Sequence, residues 1–204
     1  MKHIEIVKGS PISESGAKLN LLALDEMAES LMGTEDPAIV EQTLLYLWQQ
    51  KNNRFSHEYV YEAKWEGKTL GMVTCYPTTL LNRLAWPTAK LLFKFRQWSL
   101  LFYALKHAGR VWNLLNLQEG RQDEFHIGTI ATLPESRGMG VGTKLLWQAE
   151  QAAQQSGFNK LSLTVKQKNG GAQKLYERVG FKVTEKIDKN PFFLYRMVKN
   201  LAYG

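Results

Sequence analysis

Residues 134–146 (PESRGMGVGTKLL) place three glycines at alternating positions directly behind Arg137. The segment before them is strand-like and the segment after them is helix-forming, so the glycines form the turn that begins a helix. The first turn of a helix has unpaired N–H groups and a partial positive charge, and glycines let a ligand approach those groups closely. Arg137 adds a permanent cation. The turn therefore predicts a site for a phosphate group.

The spacing of these glycines differs from two common nucleotide motifs. The dinucleotide motif requires G-x-G-x-x-G and an acidic residue roughly 20 residues later. This chain has G-x-G-x-G, and Lys160 stands at that distance. The Walker A loop requires a lysine before a serine or threonine, but Lys144 follows Thr143. Neither nucleotide motif is present.

The elements around the turn predict one sheet with helices packed on it, an α/β (α+β) arrangement. Predicted strands cover residues 3–9, 123–133, 159–165, 181–187 and 191–199, with a hairpin over 57–77 that turns at Glu66-Gly67-Lys68. Predicted helices cover residues 12–32, ended by Gly33; 37–51, capped by Asp36; 138–155; and 170–179, closed by Gly180.

Residues 79–122 break this regular order, because they are rich in Leu, Phe and Trp and carry many basic side chains. Thr88, after Pro87, is the predicted start of a helix, and Gly109 is its predicted end. A membrane span needs roughly 20 mostly apolar residues, and the basic residues interrupt the segment, so no span is expected. The segment is predicted to be an amphipathic helix packed on the domain or across a dimer. A membrane-surface or hydrophobic-ligand element is the alternative.

The composition is that of one soluble domain covering residues 1–204, with 44% hydrophobic and 22% charged residues. Cys75 is the one cysteine, so an internal disulfide is excluded and a cytoplasmic location is favoured. We expect its thiol to be buried and inert.

The four histidines are scattered along the chain, and no metal site is expected. The net charge of +7 is compatible with nucleic acid, an anionic membrane or an anionic small ligand, and does not decide among them.

Two motifs together resemble the GNAT superfamily of acetyl-CoA-dependent N-acetyltransferases. The sequence R-x-x-G-x-G at 137–142 is similar to the pyrophosphate signature of that family, and NGGAQKLYERVGFKV at 169–183 resembles its later motif. The resemblance covers the chain except for 79–122. It implies a central mixed, mostly antiparallel sheet of about six to seven strands, flanked by helices. Residues 79–122 would then be a helical insertion between strands 3 and 4.

The resemblance also implies which residues bind acetyl-CoA. The backbone of Ile130, Ala131 and Thr132 would pair with the pantetheine arm, although the family usually has Val in place of Thr132. Asn169 would contact the cofactor, and the Tyr176 hydroxyl would lie near its sulfur. The pyrophosphate would be held by Arg137 and by the backbone amides of Gly138, Met139, Gly140, Val141, Gly142 and Thr143.

The reaction implied is direct attack of a primary amine on the acetyl thioester in a ternary complex. Tyr176 is the candidate acid for the thiolate. His126 is the candidate base, because the unperturbed pKa of histidine suits the role; Glu124 is a reserve candidate and water is a third option. The space beside Gly128 indicates an acceptor entering there or a β-bulge.

The resemblance places the acceptor between residues 33–37, the region between strands 3 and 4, and the end of the chain. The inserted segment would wall the acceptor pocket or form a homodimer contact. Small-molecule and peptide amines both remain open as acceptors. A non-catalytic acetyl-CoA sensor of the same fold is the alternative function.

Overall fold

The computed structural model describes residues 3–201 and contains, within them, seven strands and eight α-helices. Strands β1 to β7 span Glu5–Lys8, Val60–Trp65, Lys68–Pro77, Phe125–Thr132, Lys160–Lys166, Lys182–Lys189 and Phe192–Asn200. Helices α1 to α8 span Ser15–Leu24, Met27–Met32, Pro37–Gln49, Thr78–Arg96, Trp98–Lys106, Ala108–Leu115, Val141–Gln155 and Gly170–Arg178.

The strands form one sheet in the order β1-β2-β3-β4-β5-β7-β6. The pair β4 and β5 is parallel, and every other neighbouring pair is antiparallel. The prediction of a mixed, mostly antiparallel sheet is confirmed, as is the helical segment between β3 and β4.

Local sequence explains two of these elements directly. In the β2–β3 hairpin, Glu66 and Gly67 both adopt positive φ, at 48° and 78°, which is the backbone of a type I′ turn. At the start of α3, the Asp36 side chain accepts hydrogen bonds from the amides of Ala38 and Ile39. Both features were predicted from residue type alone.

The core lies on both faces of the sheet. Along β3, Val73 packs with Leu145 and its neighbours on α7, whereas the adjacent Met72 packs with Leu19 and Trp48 on the opposite face. Successive residues of a strand point to opposite faces, so β3 is buried on both sides. The helices α1 and α7 thus hold β3 and β4 between them.

Two helix predictions are wrong in detail. The single helix expected over 12–32 is broken at Asp25, whose φ is 50°, and this gives α1 and α2. The helix expected to begin at Thr88 begins instead at Thr78 and continues through Pro87, where the Thr88 hydroxyl donates to the Leu84 carbonyl. The side of α4 that includes Leu81, Leu84 and Leu92 is buried against the domain. The free energy of that burial outweighs the loss of the helical hydrogen bond that Pro87 cannot donate.

The inserted segment is also divided into three helices, where one was expected. Gln97 adopts a φ of 51° between α4 and α5, and His107 separates α5 from α6. The predicted end at Gly109 is therefore wrong, because Gly109 lies inside α6. Among the described residues, no helix has the length and apolar character to cross a membrane.

Candidate active site

A cleft opens where β4 and β5 separate. The two strands pair only from Phe125 to Ile127 and from Leu161 to Leu163. Beyond these positions each strand continues to its own end, so the edge of β4 that faces β5 has no partner strand from Gly128 to Thr132. An unpaired strand edge can receive an extended ligand by backbone hydrogen bonds. The expected positions Ile130, Ala131 and Thr132 lie on this edge.

The glycine turn forms the N-terminus of α7. Gly138 and Gly140 adopt φ values of 77° and 73°, and a Cβ atom at either position would meet nothing within 4 Å. No side chain caps the helix, and the first i to i−4 bond runs from the Lys144 amide to the Gly140 carbonyl. The preceding amides of the first turn therefore have no intrahelical acceptor and can bind an anion.

The later motif places Asn169 and Tyr176 on α8, beside the same cleft. Asn169 is the N-cap of α8, and its side-chain oxygen accepts from the Ala172 amide. Tyr176 is buried, and burial raises the pKa of its phenol to about 12. Tyr176 is thus a neutral hydroxyl at pH 7 and is available as a proton donor.

A buried charged cluster lies at the other end of the cleft. Arg54 donates from Nη2 to both carboxylate oxygens of Glu119, at 2.7 and 2.9 Å. Burial alone would raise the pKa of Glu119, but the charge of Arg54 and the neighbouring His126 lower it to about 2. Tyr76 hydrogen-bonds Arg54, and burial raises the pKa of its hydroxyl to about 12. The site therefore presents an ionised carboxylate and a neutral phenol.

The two predicted bases lie behind this cluster. His126 is 0% exposed, with Nδ1 3.1 Å from Ser162 Oγ and Nε2 3.6 Å from the Glu119 carboxylate. Glu124 is ion-paired with the buried Arg196 and also accepts from the Arg121 amide. Neither side chain lines the cleft, whereas Glu119 does.

The space beside Gly128 is occupied by Tyr76. A Cβ atom at Gly128 would lie 2.4 Å from the Tyr76 hydroxyl oxygen. Thr74 pairs with Thr129 and Cys75 with Ile127, so Gly128 is the extra residue of a β-bulge. Of the two sequence-based interpretations, the bulge is present, and it brings Tyr76 to the cleft.

The inserted helices enclose a second cavity of about 760 Å³, adjoining the cleft. Its wall is mainly apolar and includes Phe55, Leu81, Leu92, Leu100 and Leu114. The cleft and this cavity share Arg54, Glu119 and Leu114. We call this cavity the apolar chamber. A ligand in the chamber would have its end at the Glu119 carboxylate.

Sequence reasoning missed Arg54, Tyr76 and Glu119. One signal pointed to Glu119, because it is the first acidic residue after a stretch from Thr78 to Gln118 that contains none.

The element expected on the acceptor side, residues 33–37, joins α2 to α3 and does not line the cleft. Residues around the break between α1 and α2 at Asp25 line the cleft in its place. Among residues 3–201, no group of three or more His, Cys, Asp or Glu side chains could hold a metal ion.

The open edge of β4 and the buried Tyr176 lie beside one cleft, and the glycine turn begins the helix that follows β4. The family model described as "Acetyltransferase (GNAT) family" matches residues 24–181. The chain therefore belongs to the GNAT acetyltransferase family. A comparison with curated proteins returned no match.

Three solved structures with the same fold are described as acetyltransferases. One described as an acetyltransferase is 24% identical, with a TM-score of 0.71, covering 97% of this chain and 100% of its own. An N-acetyltransferase from Staphylococcus aureus Mu50 is 22% identical, with a TM-score of 0.67 and coverages of 95% and 99%. A GNAT family acetyltransferase from Elizabethkingia anophelis with acetyl-CoA bound is 17% identical, with a TM-score of 0.53 and coverages of 98% and 100%.

Proposed function

We propose that the protein is an N-acetyltransferase that transfers the acetyl group of acetyl-CoA to a primary amine in a ternary complex. The observation that carries this proposal is the single cleft joining the β4 edge and Tyr176 to the Glu119 carboxylate. The β4 edge and Tyr176 are suited to a thioester, and the Glu119 carboxylate is suited to a cationic amine.

The residues present are compatible with acetyl-CoA, which supplies an activated acetyl thioester. The backbone of Ile130, Ala131 and Thr132 lies on the open edge of β4. Arg137 and the turn that begins α7 supply positive charge and N–H groups for a pyrophosphate, although the Met139 amide already donates to the Ser136 carbonyl. Asn169 caps α8 through its side-chain oxygen, which leaves its amide NH₂ group free to donate.

The proposed proton route begins at Glu119. An amine acceptor is protonated at neutral pH, and the ionised Glu119 carboxylate at the cleft binds its ammonium group. His126 lies behind Glu119, and its Nε2 atom makes no hydrogen bond in the described structure. It takes up the proton through the carboxylate, which frees the nitrogen lone pair. The C–N bond then forms, the C–S bond breaks and Tyr176 donates its proton to the thiolate, while the second proton that the nitrogen loses passes through solvent to restore the Tyr176 hydroxyl.

The apolar chamber favours an acceptor with an apolar body. Its volume of about 760 Å³ is within the usual range for small-molecule pockets, roughly 300–1,000 Å³. Its inner wall is mainly aliphatic and aromatic, and its charged side chains are Glu119, the Arg54 that pairs with it, and Arg121. An alkyl or aryl amine would bury its body in the chamber and place its nitrogen at the carboxylate.

Thiol release from acetyl-CoA with a panel of amines tests the proposal. We expect hydrophobic amines to be turned over, and Tyr176→Phe to lower kcat about a hundredfold, the scale of acid–base catalysis. His126→Ala should also lower kcat. Tyr61→Phe, on β2, is the matched control and should be neutral. Unaltered turnover in Tyr176→Phe or His126→Ala removes that residue from the mechanism.

A second outcome separates the enzyme from its alternative. A sensor of the same fold would be stabilised thermally by acetyl-CoA without consuming it, because a ligand that binds only the folded state raises the melting temperature. Stabilisation with no turnover of any amine would favour that sensor.

A further inference from the structure

The helix α5 presents an apolar stripe to solvent. Trp98, Leu101, Phe102 and Leu105 occur at helical spacings of three and four, so they share one side of the helix. Trp98 is 64% exposed, Phe102 70% and Leu105 69%, and no residue of α5 is buried. An amphipathic helix normally turns such a stripe towards the core. Here the stripe faces solvent, although Trp98 makes an edge-to-face ring contact with Phe93 of α4.

The neighbouring helices extend this apolar surface. Trp86 and Phe93 lie on the side of α4 opposite its buried Leu84, and both are exposed. Trp112 is exposed on α6, next to Leu115, which lines the apolar chamber. We call this combined surface the outer face of α4–α6. Its apolar side chains are grouped on consecutive helices, and large exposed groups of this kind mark interaction sites.

The outer face is also strongly basic. Residues 78–118 contain six lysines and arginines and no acidic residue. Arg83, Lys90, Lys94 and Lys106 are exposed, and none has an ion pair in the part of the chain that the structure describes. Lys90 lies between Trp86 and Phe93 on the same side of α4, so cations and aromatic rings alternate along the face.

We propose that the outer face of α4–α6 docks on an anionic membrane surface. Trp, Phe and Leu side chains at an interface bury their apolar parts at the acyl boundary, while lysines beside them reach the anionic head groups. The helices lie along the surface and do not span it. Both required components, the apolar stripe and the unpaired cations, are present on the same helices.

Charge argues against two other occupants. In a two-fold dimer the same patch meets itself, so two sets of cations with no acidic partner would face each other across the interface. Nucleic acid is bound chiefly through its phosphates, which would use the lysines but leave Leu101 and Leu105 without an apolar partner. A membrane surface satisfies the charge and the aliphatic side chains together.

Flotation of the full-length protein with vesicles tests docking without any activity measurement. We expect binding to vesicles of phosphatidylcholine mixed with phosphatidylglycerol, little binding to phosphatidylcholine alone, and weakening when salt rises from about 0.1 M to about 1 M. Each lysine near an anionic surface contributes about fivefold in affinity. The triple variant Lys90→Gln, Lys94→Gln, Lys106→Gln should therefore bind about a hundredfold more weakly.

The apolar part is tested by the variant Trp98→Ser, Phe102→Ser, Leu105→Ser, which should lose binding by roughly a hundredfold or more. Its thermal midpoint should stay close to that of the wild type, because the replaced side chains face solvent. Trp147→Ser, an equally exposed tryptophan on α7, and Lys18→Gln are the matched controls and should bind as the wild type does.

Three outcomes would overturn the proposal. The first is no binding to anionic vesicles, or equal binding to phosphatidylcholine alone. The second is unchanged binding by the stripe variant. The third is that the wild-type protein is a dimer in solution and does not bind vesicles, while the stripe variant is a monomer. That result would make a second copy of the chain the partner of this face. A further contrary result would be that duplex DNA displaces the protein from vesicles and binds the stripe variant as tightly as the wild type. That result would make nucleic acid the partner.

Discussion

Alanine at Gly140 provides a sharp test of the phosphate turn, because the chain contains a matched control. Gly140 and Gly157 adopt φ values of 73° and 79°, and at both a Cβ atom would meet nothing within 4 Å. The two substitutions therefore impose the same backbone strain and no steric clash. Gly140 begins α7 at the proposed pyrophosphate site, whereas Gly157 follows the far end of the same helix.

Both substitutions should lower the stability of the folded protein by the same amount, because both glycines adopt the left-handed backbone conformation. An L-residue in this conformation loses roughly 1–2 kcal/mol relative to glycine. For a chain of this size each kcal/mol lowers the melting temperature by about 2–4 °C. Gly140→Ala and Gly157→Ala should both melt roughly 2–8 °C below the wild type.

Only Gly140→Ala should lose affinity for acetyl-CoA. The new methyl group would lie where the ligand approaches, and the amides beside it would be reoriented. Loss of one hydrogen bond to a charged group costs roughly 1.5–3 kcal/mol, which is about tenfold to a hundredfold in Kd. Calorimetric titration with acetyl-CoA measures this directly. Equal affinities for the Gly140→Ala and Gly157→Ala variants would refute the assignment of this turn to the pyrophosphate.

Two further predictions concern stability. The pKa of Glu119 falls from its ordinary 4.5 to about 2 in the folded protein. The ionised side chain therefore contributes about 3 kcal/mol to the free energy of unfolding. This contribution is complete above pH 4.5 and is lost as the pH falls towards 2. Urea unfolding should show that loss in the wild type but not in Glu119→Gln, and an identical acid dependence of the two proteins would contradict it. Asp36→Ala removes the cap of α3 and should cost about 1 kcal/mol, whereas Asp36→Asn should retain most of the stability; equal midpoints for Asp36→Ala and the wild type would mean that the cap contributes nothing.

Local chemistry was readable from the sequence wherever neighbouring residues decide the structure. Asp36 before Pro37 specified the start of α3, and Glu66-Gly67 specified the hairpin turn. The alternating glycines specified an uncapped helix start after β4. In each case the determining groups lie within a few residues of one another, and no distant contact overrides them.

The site residues Arg54, Tyr76 and Glu119 were decided by the tertiary structure. Arg54 and Glu119 are 65 residues apart in sequence, and their pairing depends on how the inserted helices pack against the α3–β2 connection. The bulge at Gly128 brings Tyr76 to the same place. No spacing rule links three residues on three separate elements, because such contacts arise only when the sheet is assembled.

The sequence by itself determined the local elements, the glycine turn before α7 and the family motifs, since all of these are short patterns with local physical causes. Tertiary structure decided that the Glu119 carboxylate, and not His126 or Glu124, faces the cleft. It also decided that the inserted helices enclose the apolar chamber on one side and expose an apolar, basic face on the other. Burial on each side of a helix is set by what packs against it, and that is a property of the folded chain.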